Sequence, residues 1–386
     1  MESDSRSGNL SSISAFYFSE IMKKHRYPLK WRRCLSLYNE ACYDSFKVNA
    51  IAQTNQKHTA TPVTCGRSKK MNDRTVVLNA GLVNYDGNVD YSQIASEVVI
   101  YDETPEDKIL ERVNGFTIVV TKEMKVSGEL IRKFPDSVKM ICEAGTGYNN
   151  IDLDAVREKG IQLCNIPAYS SERVAHTAIL FIMNLASSMQ KQIRMLSQGN
   201  HDNFHKRLMV DHVELNGKTL GVIGFGNIAK EVIKVAKALG MNILVSSRTP
   251  REDSDNIHFT TMEELLKQSD FVSLNCPLNE STRHMINKET LAMMKPTAFL
   301  INTARGALID EKALIDALQN HVIAGAGLDV QEVEPLDDAS PLYTIDNVII
   351  TPHMGWRGLE TRQRLVALIG KNIKAFSIGQ PINRVD

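Results

Sequence analysis

Three ionisable side chains of different chemistry each follow an apolar run that is typical of a buried β-strand. They are Arg305, Glu334 and His353, and the runs before them are residues 300–304, 327–330 and 350–352. Ligands of open parallel sheets bind at the carboxyl ends of the strands. We therefore expect one guanidinium, one carboxylate and one imidazole to meet around the same ligand.

This set of groups suits the reduction of a 2-oxo acid. Arg305 can hold the carboxylate and polarise the carbonyl through two parallel N–H bonds. His353 can give a proton to the oxygen while hydride reaches the carbon, and Glu334 would favour the charged imidazole and fix its tautomer. A salt bridge or a loop contact explains each residue alone. Their joint placement on three strand ends favours catalysis.

A glycine turn upstream predicts a site for the hydride donor. The apolar run 220–223 ends in Gly224-x-Gly226-x-x-Ala229, and a helical pattern follows directly. Gly224 permits a tight turn, Gly226 lets a pyrophosphate approach the backbone, and Ala229 lets the helix pack closely on the strand. A purely structural turn is the alternative, but the strand–turn–helix–strand context favours a dinucleotide.

The end of the next predicted strand indicates which dinucleotide binds. An acidic residue about 20 positions past the glycines would hold the ribose 2′-OH of NAD. Ser247, Arg248 and Thr249 stand there instead, and an arginine suits a 2′-phosphate. We expect NADP to be preferred, with NAD possible. In the alternative, Arg248 stacks on the adenine and the enzyme uses both cofactors.

A second glycine turn could bind the substrate carboxylate. Residues 145–150 (Gly-Thr-Gly-Tyr-Asn-Asn) follow an apolar run and can present consecutive backbone N–H groups. A simple turn explains them equally well. His201 and His205 have a spacing that could bind metal on a helix. Gly199 and Asn200 interrupt that helix, so we interpret them as loop histidines and expect no metal.

Strand-like runs and helical patterns alternate from residue 71 onward, which predicts parallel sheets covered by helices. Strands are expected at 75–78, 97–101, 116–121, 138–143 and 161–165, then at 242–246, 271–274, 298–302, 322–328 and 348–351. The first series resembles a small flavodoxin-like domain. One long helix over 172–198 is apolar on several faces and is expected to bridge the domains or pack in a dimer.

Composition excludes several classes of protein. The 386 residues carry 45 basic and 45 acidic side chains, so bulk charge does not indicate a nucleic-acid partner. No apolar run reaches 18 residues, so we expect no transmembrane helix. The six cysteines lack metal or disulfide spacing, which fits a reducing compartment such as the cytoplasm.

The charge is uneven, because the basic leader, residues 1–70, carries a net charge of +7 and the remainder −7. We expect the leader to be disordered, and a chain that begins at Met71 to fold and keep its activity. An organellar targeting segment is the alternative, since basic residues exceed acidic ones. Glu2, Asp4, Glu20 and Glu40 argue against it.

With these motifs combined, residues 72 to about 380 resemble the D-isomer-specific 2-hydroxyacid dehydrogenases. The resemblance is carried by Gly224-x-Gly226-x-x-Ala229, Asn302-Thr303-Ala304-Arg305-Gly306, residues 327–335 and Thr351-Pro352-His353. The opening residues 76–79, the loop 146–152 and Trp356 look most like the glycerate dehydrogenase (hydroxypyruvate reductase) branch. The resemblance implies reduction of hydroxypyruvate or glyoxylate to the D-2-hydroxy acid.

The resemblance also implies an architecture and a set of site residues. It implies two Rossmann-like domains with a cleft between them: a substrate domain (71–170 and 355–386) and an inserted dinucleotide-binding domain (171–354), in a homodimer. The implied catalytic residues are Arg305, Glu334 and His353, and Thr146, Gly147, Tyr148 and Arg305 would bind substrate. The implied cofactor contacts are Gly224, Gly226, Asn227, Ile228, Ser247, Arg248, Thr249, Cys276, Pro277, Thr282, Thr303, Ala304 and Asp329.

Two departures from the family pattern and two rival functions remain. The NAD-type aspartate is missing at Ser247, and Asn275 replaces a histidine often found before the Cys-Pro pair. Some relatives of this fold act as dinucleotide-sensing corepressors, although only the leader could serve here as a partner arm. Oxidation of phosphite or formate on the same scaffold is less favoured, because the loop at Thr146 resembles that of proteins that read 2-oxo acids.

Overall fold

The computed structural model describes residues 74–249, 251–254 and 256–386. All of them belong to one compact unit, Ser68–Asp386. The leader lies outside the described residues, so the expectations about it stay predictions.

The first sheet has five parallel strands in the order β2-β1-β3-β4-β5. Its strands are β1 (Thr75–Val77), β2 (Val98–Ile100), β3 (Ile118–Thr121), β4 (Met140–Glu143) and β5 (Gln162–Cys164). The central strands β3 and β4 are buried at every position, because helices cover both faces of a parallel sheet. This strand order is the flavodoxin-like order, as the sequence predicted.

The second sheet has seven parallel strands in the order β12-β11-β10-β9-β6-β7-β8. Its strands are β6 (Thr219–Ile223), β7 (Asn242–Ser246), β8 (Ile257–Phe259), β9 (Phe271–Leu274), β10 (Phe299–Asn302), β11 (Gly325–Leu328) and β12 (Val348–Ile350). The chain order reverses between β6 and β9. In a doubly wound sheet, this reversal opens the crevice in which ligands bind.

Eleven α-helices in the described residues connect and cover these strands. They are α1 (Ile109–Val113), α2 (Gly128–Arg132), α3 (Leu153–Glu158), α4 (Ser171–Ala186), α5 (Met189–Ser197), α6 (Asp202–His205), α7 (Asn227–Ala238), α8 (Met262–Gln268), α9 (Lys288–Ala292), α10 (Glu311–Gln319) and α11 (Leu359–Ser377). The final helix, α11, shares a hydrophobic core with the first sheet, where its Leu365 and Ile373 join Val120 and Met140. The chain therefore returns to the first sheet at its end. No helix in the described part of the chain is both long and apolar enough to span a membrane.

The predicted single helix over 172–198 is wrong, because the chain breaks it between α4 and α5. Ser188 adopts a left-handed conformation (φ +47°), which an α-helix cannot contain. Ser187 and Ser188 are weak helix formers, because a serine hydroxyl can hydrogen-bond to nearby backbone groups and compete with the helix. Helix α4 packs against the second sheet through Phe181, Ile182 and Leu185.

Two smaller expectations also need correction. The predicted strand 322–328 begins only at Gly325. Residues 261–264 (Thr-Met-Glu-Glu) predict a capping box at the start of α8, but only half of it forms: Thr261 accepts the Glu264 N–H, while the Glu264 carboxylate accepts from Gln268 instead. Local patterns predicted these elements, but tertiary contacts set their limits.

A buried arginine fastens α11 to the loop that follows β1. The side chain of Arg362 is 2% exposed, and its two Nη atoms donate to Asp86 at 2.8 and 2.6 Å and to the Val83 carbonyl at 2.7 Å. Its Nε donates to the Arg357 carbonyl. Hydrogen bonds from Arg362 hold the pKa of the Asp86 carboxyl well below its ordinary value.

We expect Asp86→Asn to lower the melting temperature at pH 7, because Arg362 would remain buried without its counter-charge. A carboxyl whose pKa is depressed by folding stabilises the protein above its unfolded pKa of about 3.9 and loses that effect as pH falls. The difference in Tm between wild type and variant should therefore narrow below about pH 4. Asp154→Asn is the control, since it removes only an exposed ion pair with Arg157. A pH-independent difference would contradict the assignment.

Candidate active site

The imidazole and carboxylate predicted from the sequence form a pair in the structure. His353 Nδ1 lies 2.8 Å from Glu334 Oε2, and Glu334 Oε1 accepts the Gln331 N–H at 3.1 Å. The side chains of His353 and Glu334 are 21% and 36% exposed, so solvent reaches both. An Nδ1–H that donates to Glu334 leaves His353 Nε2 to face a ligand.

Asp329 holds the loop that carries His353. Its buried carboxylate accepts from Thr351 Oγ1 (2.6 Å) and from the N–H groups of Met354 and Gly355 (both 2.8 Å). The Asp329 carbonyl accepts the His353 N–H at 2.8 Å. His353 is thereby fixed in a left-handed conformation (φ +49°) that few non-glycine residues adopt. The cofactor contact expected for Asp329 stays a prediction.

Arg305 is positioned by the end of β10 and by the glycine loop after β4. Asn302 Nδ2 donates to the Arg305 carbonyl at 2.9 Å, and Asn302 Oδ1 accepts the Ala304 N–H at 3.0 Å. Arg305 Nη1 donates to the Ala304 carbonyl at 2.7 Å. A side chain at Gly147 would collide with the Arg305 guanidinium. The predicted carboxylate-binding loop therefore lies directly against the predicted carboxylate-binding arginine.

The other two predicted substrate residues are held by the first sheet. Thr146 Oγ1 donates to the Ile166 carbonyl at 3.1 Å, and the Thr146 carbonyl accepts from Asn165. Tyr148 packs against a hydrophobic core of that sheet. Asn149 reaches the second sheet, where its Nδ2 donates to the Leu278 carbonyl at 3.3 Å.

The glycine turn after β6 has the conformation that a dinucleotide requires. Gly224 has φ +96°, and a Cβ there would lie 2.6 Å from the Asn275 carbonyl oxygen. Gly226 is the N-cap of α7, and no atom lies within 4 Å of an added Cβ. Asn227 and Ile228 open the helix, so their N–H groups face a space in which phosphate oxygens can bind.

Two buried polar atoms after β9 and β10 lack hydrogen-bond partners and could bind polar groups of a dinucleotide. Among the described residues, Thr303 Oγ1 and Asn275 Oδ1 are buried and have no hydrogen-bond partner. Buried polar atoms are seldom left unpaired unless a ligand or water completes them. Both atoms follow neighbouring strands, β9 and β10, on one side of the crevice between β6 and β9, and this placement supports the cofactor assignment.

The loop after β9 contains three predicted cofactor residues whose side chains have structural partners. Burial raises the pKa of Cys276 to about 11, so its thiol stays protonated, and its Sγ contacts Met285. Thr282 Oγ1 donates to the Pro277 carbonyl at 2.8 Å. These contacts stabilise the conformation of the loop, and the cofactor contacts expected for the three residues stay predictions.

The segment after β7 contains the residues predicted to select the cofactor. Ser247 Oγ donates to the Thr249 carbonyl at 2.7 Å, so this hydroxyl supports the turn itself. Arg248 and Thr249 are exposed. Arg251, which the sequence analysis did not single out, lies over the Phe225 ring of the glycine turn, with 5.2 Å between its guanidinium carbon and the ring centroid. Lys230 also lies near that ring.

A charged pair at the end of β3 was not predicted from the sequence. Lys122 Nζ donates to Glu123 and lies 3.9 Å from the centroid of the Trp356 ring. Both residues directly follow the carboxyl end of a buried strand. The rule that selected Arg305 and His353 would also have selected them.

Comparison with known proteins agrees with this geometry. The family model for the NAD-binding domain of D-isomer specific 2-hydroxyacid dehydrogenases matches residues 179–355. The chain is 33% identical over 322 residues to the hydroxypyruvate reductase of Blautia hydrogenotrophica, which covers 81% of this chain and 99% of the relative. It is 36% identical to the glyoxylate reductase of Pyrococcus furiosus, over 74% of this chain and 87% of the relative.

Solved structures resemble the same part of the chain. A glyoxylate reductase from Paecilomyes thermophila superposes with a TM-score of 0.71 at 32% identity, covering 81% of this chain and 98% of that chain. A D-lactate dehydrogenase from Aquifex aeolicus, complexed with NAD and lactic acid, gives 0.71 at 32% identity, over 80% and 96%. These proteins are enzymes, and none of them supports the corepressor alternative.

The two glycines of the turn after β6 make a matched test. Gly224→Ala should lower the Tm of the free protein, because a left-handed non-glycine residue costs roughly 1–3 kcal/mol and its Cβ meets Asn275. Gly226→Ala should leave that Tm unchanged and weaken NAD(P)H binding roughly ten- to a hundredfold, since overpacking costs about 1–3 kcal/mol. Tm without cofactor and Kd from NAD(P)H fluorescence would check both. Unweakened binding by Gly226→Ala would place the pyrophosphate elsewhere.

Proposed function

Because this chain belongs to the family of D-isomer-specific 2-hydroxyacid dehydrogenases, we propose that it reduces hydroxypyruvate or glyoxylate to the D-2-hydroxy acid. It is an oxidoreductase that uses a nicotinamide dinucleotide. The observation that carries the proposed substrate class is the His353–Glu334 pair together with Arg305, which lies against the glycine loop at Gly147. His353 and Arg305 share a neighbour, because the positive charges of both lower the pKa of Glu123. Relatives named for hydroxypyruvate and glyoxylate reduction support the same class.

The proposed roles of the side chains follow from their positions. Arg305 and the N–H groups of the loop at Thr146 and Gly147 bind the substrate carboxylate and orient the carbonyl. Protonated His353 donates to the carbonyl oxygen through Nε2, while Glu334 stabilises the imidazolium through Nδ1. The bound dinucleotide supplies hydride to the carbonyl carbon. In the reverse direction, neutral His353 accepts the hydroxyl proton.

We propose that NADP is the preferred cofactor. Arg248 follows β7, where a carboxylate would repel a 2′-phosphate, and its side chain is exposed. Arg251 and Lys230, near Phe225, add positive charge beside the glycine turn. The three cations favour a 2′-phosphate over a free 2′-OH, and the sequence has no acidic residue from Ser246 to Arg251.

The expected assembly is a homodimer formed by the α4–α6 segment. Large apolar side chains are exposed along it, among them Met183 (49%), Ile193 (59%) and Phe204 (74%). Such a patch on a protein surface indicates an interface. We also propose the domain division at residues 170/171 and 354/355, which the shared core of α11 and the first sheet supports. The cytoplasm remains the proposed location.

The proton donor can be tested by two substitutions. His353→Ala should reduce kcat for hydroxypyruvate roughly 10²–10⁴-fold, the usual scale for a lost general acid. Glu334→Gln should fold normally but shift the alkaline fall of the reduction rate to lower pH, since the imidazolium loses its anionic partner. His258→Ala is the control, because it disrupts an exposed His–Asp pair (3.0 Å). Wild-type kcat in His353→Ala, or an unchanged pH profile in Glu334→Gln, would refute the respective role.

The cofactor preference can be tested by kcat/KM for NADPH and NADH in wild type and Arg248→Ala. Wild type should favour NADPH, and the variant should lose roughly ten- to a hundredfold with NADPH, the scale of a charged hydrogen bond. Its rate with NADH should change little. Preference of the wild type for NADH, or equal losses with both cofactors, would remove Arg248 from the phosphate site.

A further inference from the structure

Glu123 is held in an uncommon backbone conformation at the carboxyl end of β3. Its φ is +54°, in the left-handed region that few non-glycine residues adopt. Its N–H donates to Glu143 Oε1 at 2.9 Å. Glu143 is itself buried and accepts from Thr121 Oγ1 at 2.7 Å and from Asn150 Nδ2 at 3.0 Å. The surrounding hydrogen bonds therefore impose this conformation, which is typical of functional sites.

The two oxygens of the Glu123 carboxylate have different surroundings. Oε1 accepts from Lys122 Nζ, and the Lys122 side chain is 3% exposed and lies over Trp356. Among the described residues, Oε2 has no hydrogen-bond partner, and the Glu123 side chain is 38% exposed. Lys122 thus fixes the carboxylate, while one oxygen remains free to accept from a ligand.

This carboxylate belongs to the active site and is ionised there. Burial alone would raise the pKa of Glu123, but the positive charges of Lys122, His353 and Arg305 outweigh it and lower the pKa. The glycine loop lies close to both Lys122 and Arg305. An added Cβ at Gly145 would lie 3.6 Å from Lys122 Nζ, and one at Gly147 would meet Arg305. A carboxylate side chain in the site repels the carboxylate of the substrate, so its presence suggests that it contacts a different part of the substrate.

The directions around a bound carbonyl carbon leave one part of the substrate for Glu123. In the proposed binding mode, the substrate carboxylate faces Arg305 and the loop, and the carbonyl oxygen faces His353. A dinucleotide held at the second sheet would supply hydride to the carbonyl carbon. The substituent left over is C3, and Glu123 is near enough to both His353 and Arg305 for their charges to lower its pKa. This step rests on the proposed function.

We propose that Glu123 is a specificity-determining residue that accepts a hydrogen bond from a hydroxyl on C3 and repels a second negative charge there. An ionised carboxylate can only accept, so it pairs well with a hydroxyl donor. An apolar C3 leaves it unpaired, and a phosphate or carboxylate on C3 meets a like charge. The enzyme therefore takes hydroxypyruvate in preference to pyruvate and to 3-phosphohydroxypyruvate.

The test is kcat/KM for four acids: hydroxypyruvate, pyruvate, 3-phosphohydroxypyruvate and glyoxylate, which lacks C3. Glu123→Ala should lose roughly ten- to a hundredfold with hydroxypyruvate, the scale of a hydrogen bond to a charged group. Its rate with glyoxylate should stay near the wild-type value. Glu123→Gln keeps the size of the side chain and removes its charge, so it should gain activity with 3-phosphohydroxypyruvate. Glu129→Gln, an exposed carboxylate paired with Lys133, should change none of these rates.

Two results would overturn the proposal in distinguishable ways. Equal losses with glyoxylate and hydroxypyruvate in Glu123→Ala, together with no gain for 3-phosphohydroxypyruvate in Glu123→Gln, would make Glu123 structural while leaving the proposed function intact. A wild type that reduces none of the four acids would refute the proposed function, and the role of Glu123 with it.

Discussion

The active site depends on one buried carboxylate that carries out no chemistry in the proposed reaction. Asp329 is 1% exposed, and through its side chain and carbonyl it accepts hydrogen bonds from four of the five residues in the segment 351–355, all except Pro352. A buried carboxylate is costly unless such donors surround it. The loop after β12 must therefore close over the end of β11, which places His353 beside Glu334. A hydrogen-bonded framework of this kind holds His353, the proposed general acid, in a conformation that its own backbone does not prefer.

Each ionisable side chain that is proposed to contact the substrate has a hydrogen-bond partner or a close neighbour within the protein, and each keeps one polar group that a ligand can contact. Glu334 engages His353 Nδ1 and leaves Nε2 free. Lys122 engages one oxygen of Glu123 and is itself shielded by Trp356. Arg305 donates to its own loop and keeps part of its guanidinium against Gly147. Ionised groups that are fixed in this way need little reorganisation when a ligand binds, which is the main source of electrostatic catalysis.

The sequence predicted most of the fold because both sheets are parallel and buried. Strands such as Ile118–Thr121 are buried at every position and apolar at the first three, and such runs are readily recognised between helical patterns. The break at Ser188 was not predicted, since a left-handed residue leaves no signal in apolar periodicity. The three groups Arg305, Glu334 and His353 were predictable from their strand ends. The role of Asp329 as the anchor of the loop was not, because hydrogen bonds to backbone N–H groups depend on the path of the chain.

The rule that ligand-binding residues follow the carboxyl ends of strands also applies to Lys122 and Glu123. They follow a strand end as directly as Arg305 does, but an adjacent lysine and glutamate usually form a solvated pair of little consequence. Only the structure shows that Lys122 is buried against Trp356, more than 200 residues later in the chain. That burial fixes the Glu123 carboxylate in place, and fixed placement is what allows a carboxylate to discriminate between substrates.

Gly147 allows the two halves of the site to contact each other because it has no side chain. Any Cβ at this position would overlap the Arg305 guanidinium as it now lies, so the glycine lets the loop from the first sheet and the arginine from the second approach this closely. Asn149, two residues later, adds a hydrogen bond to the Leu278 carbonyl across the same junction. Residues that follow strands of both sheets therefore complete the proposed carboxylate site. A ligand that bridges Arg305 and the loop stabilises their contact, and by linkage that contact strengthens binding of the ligand.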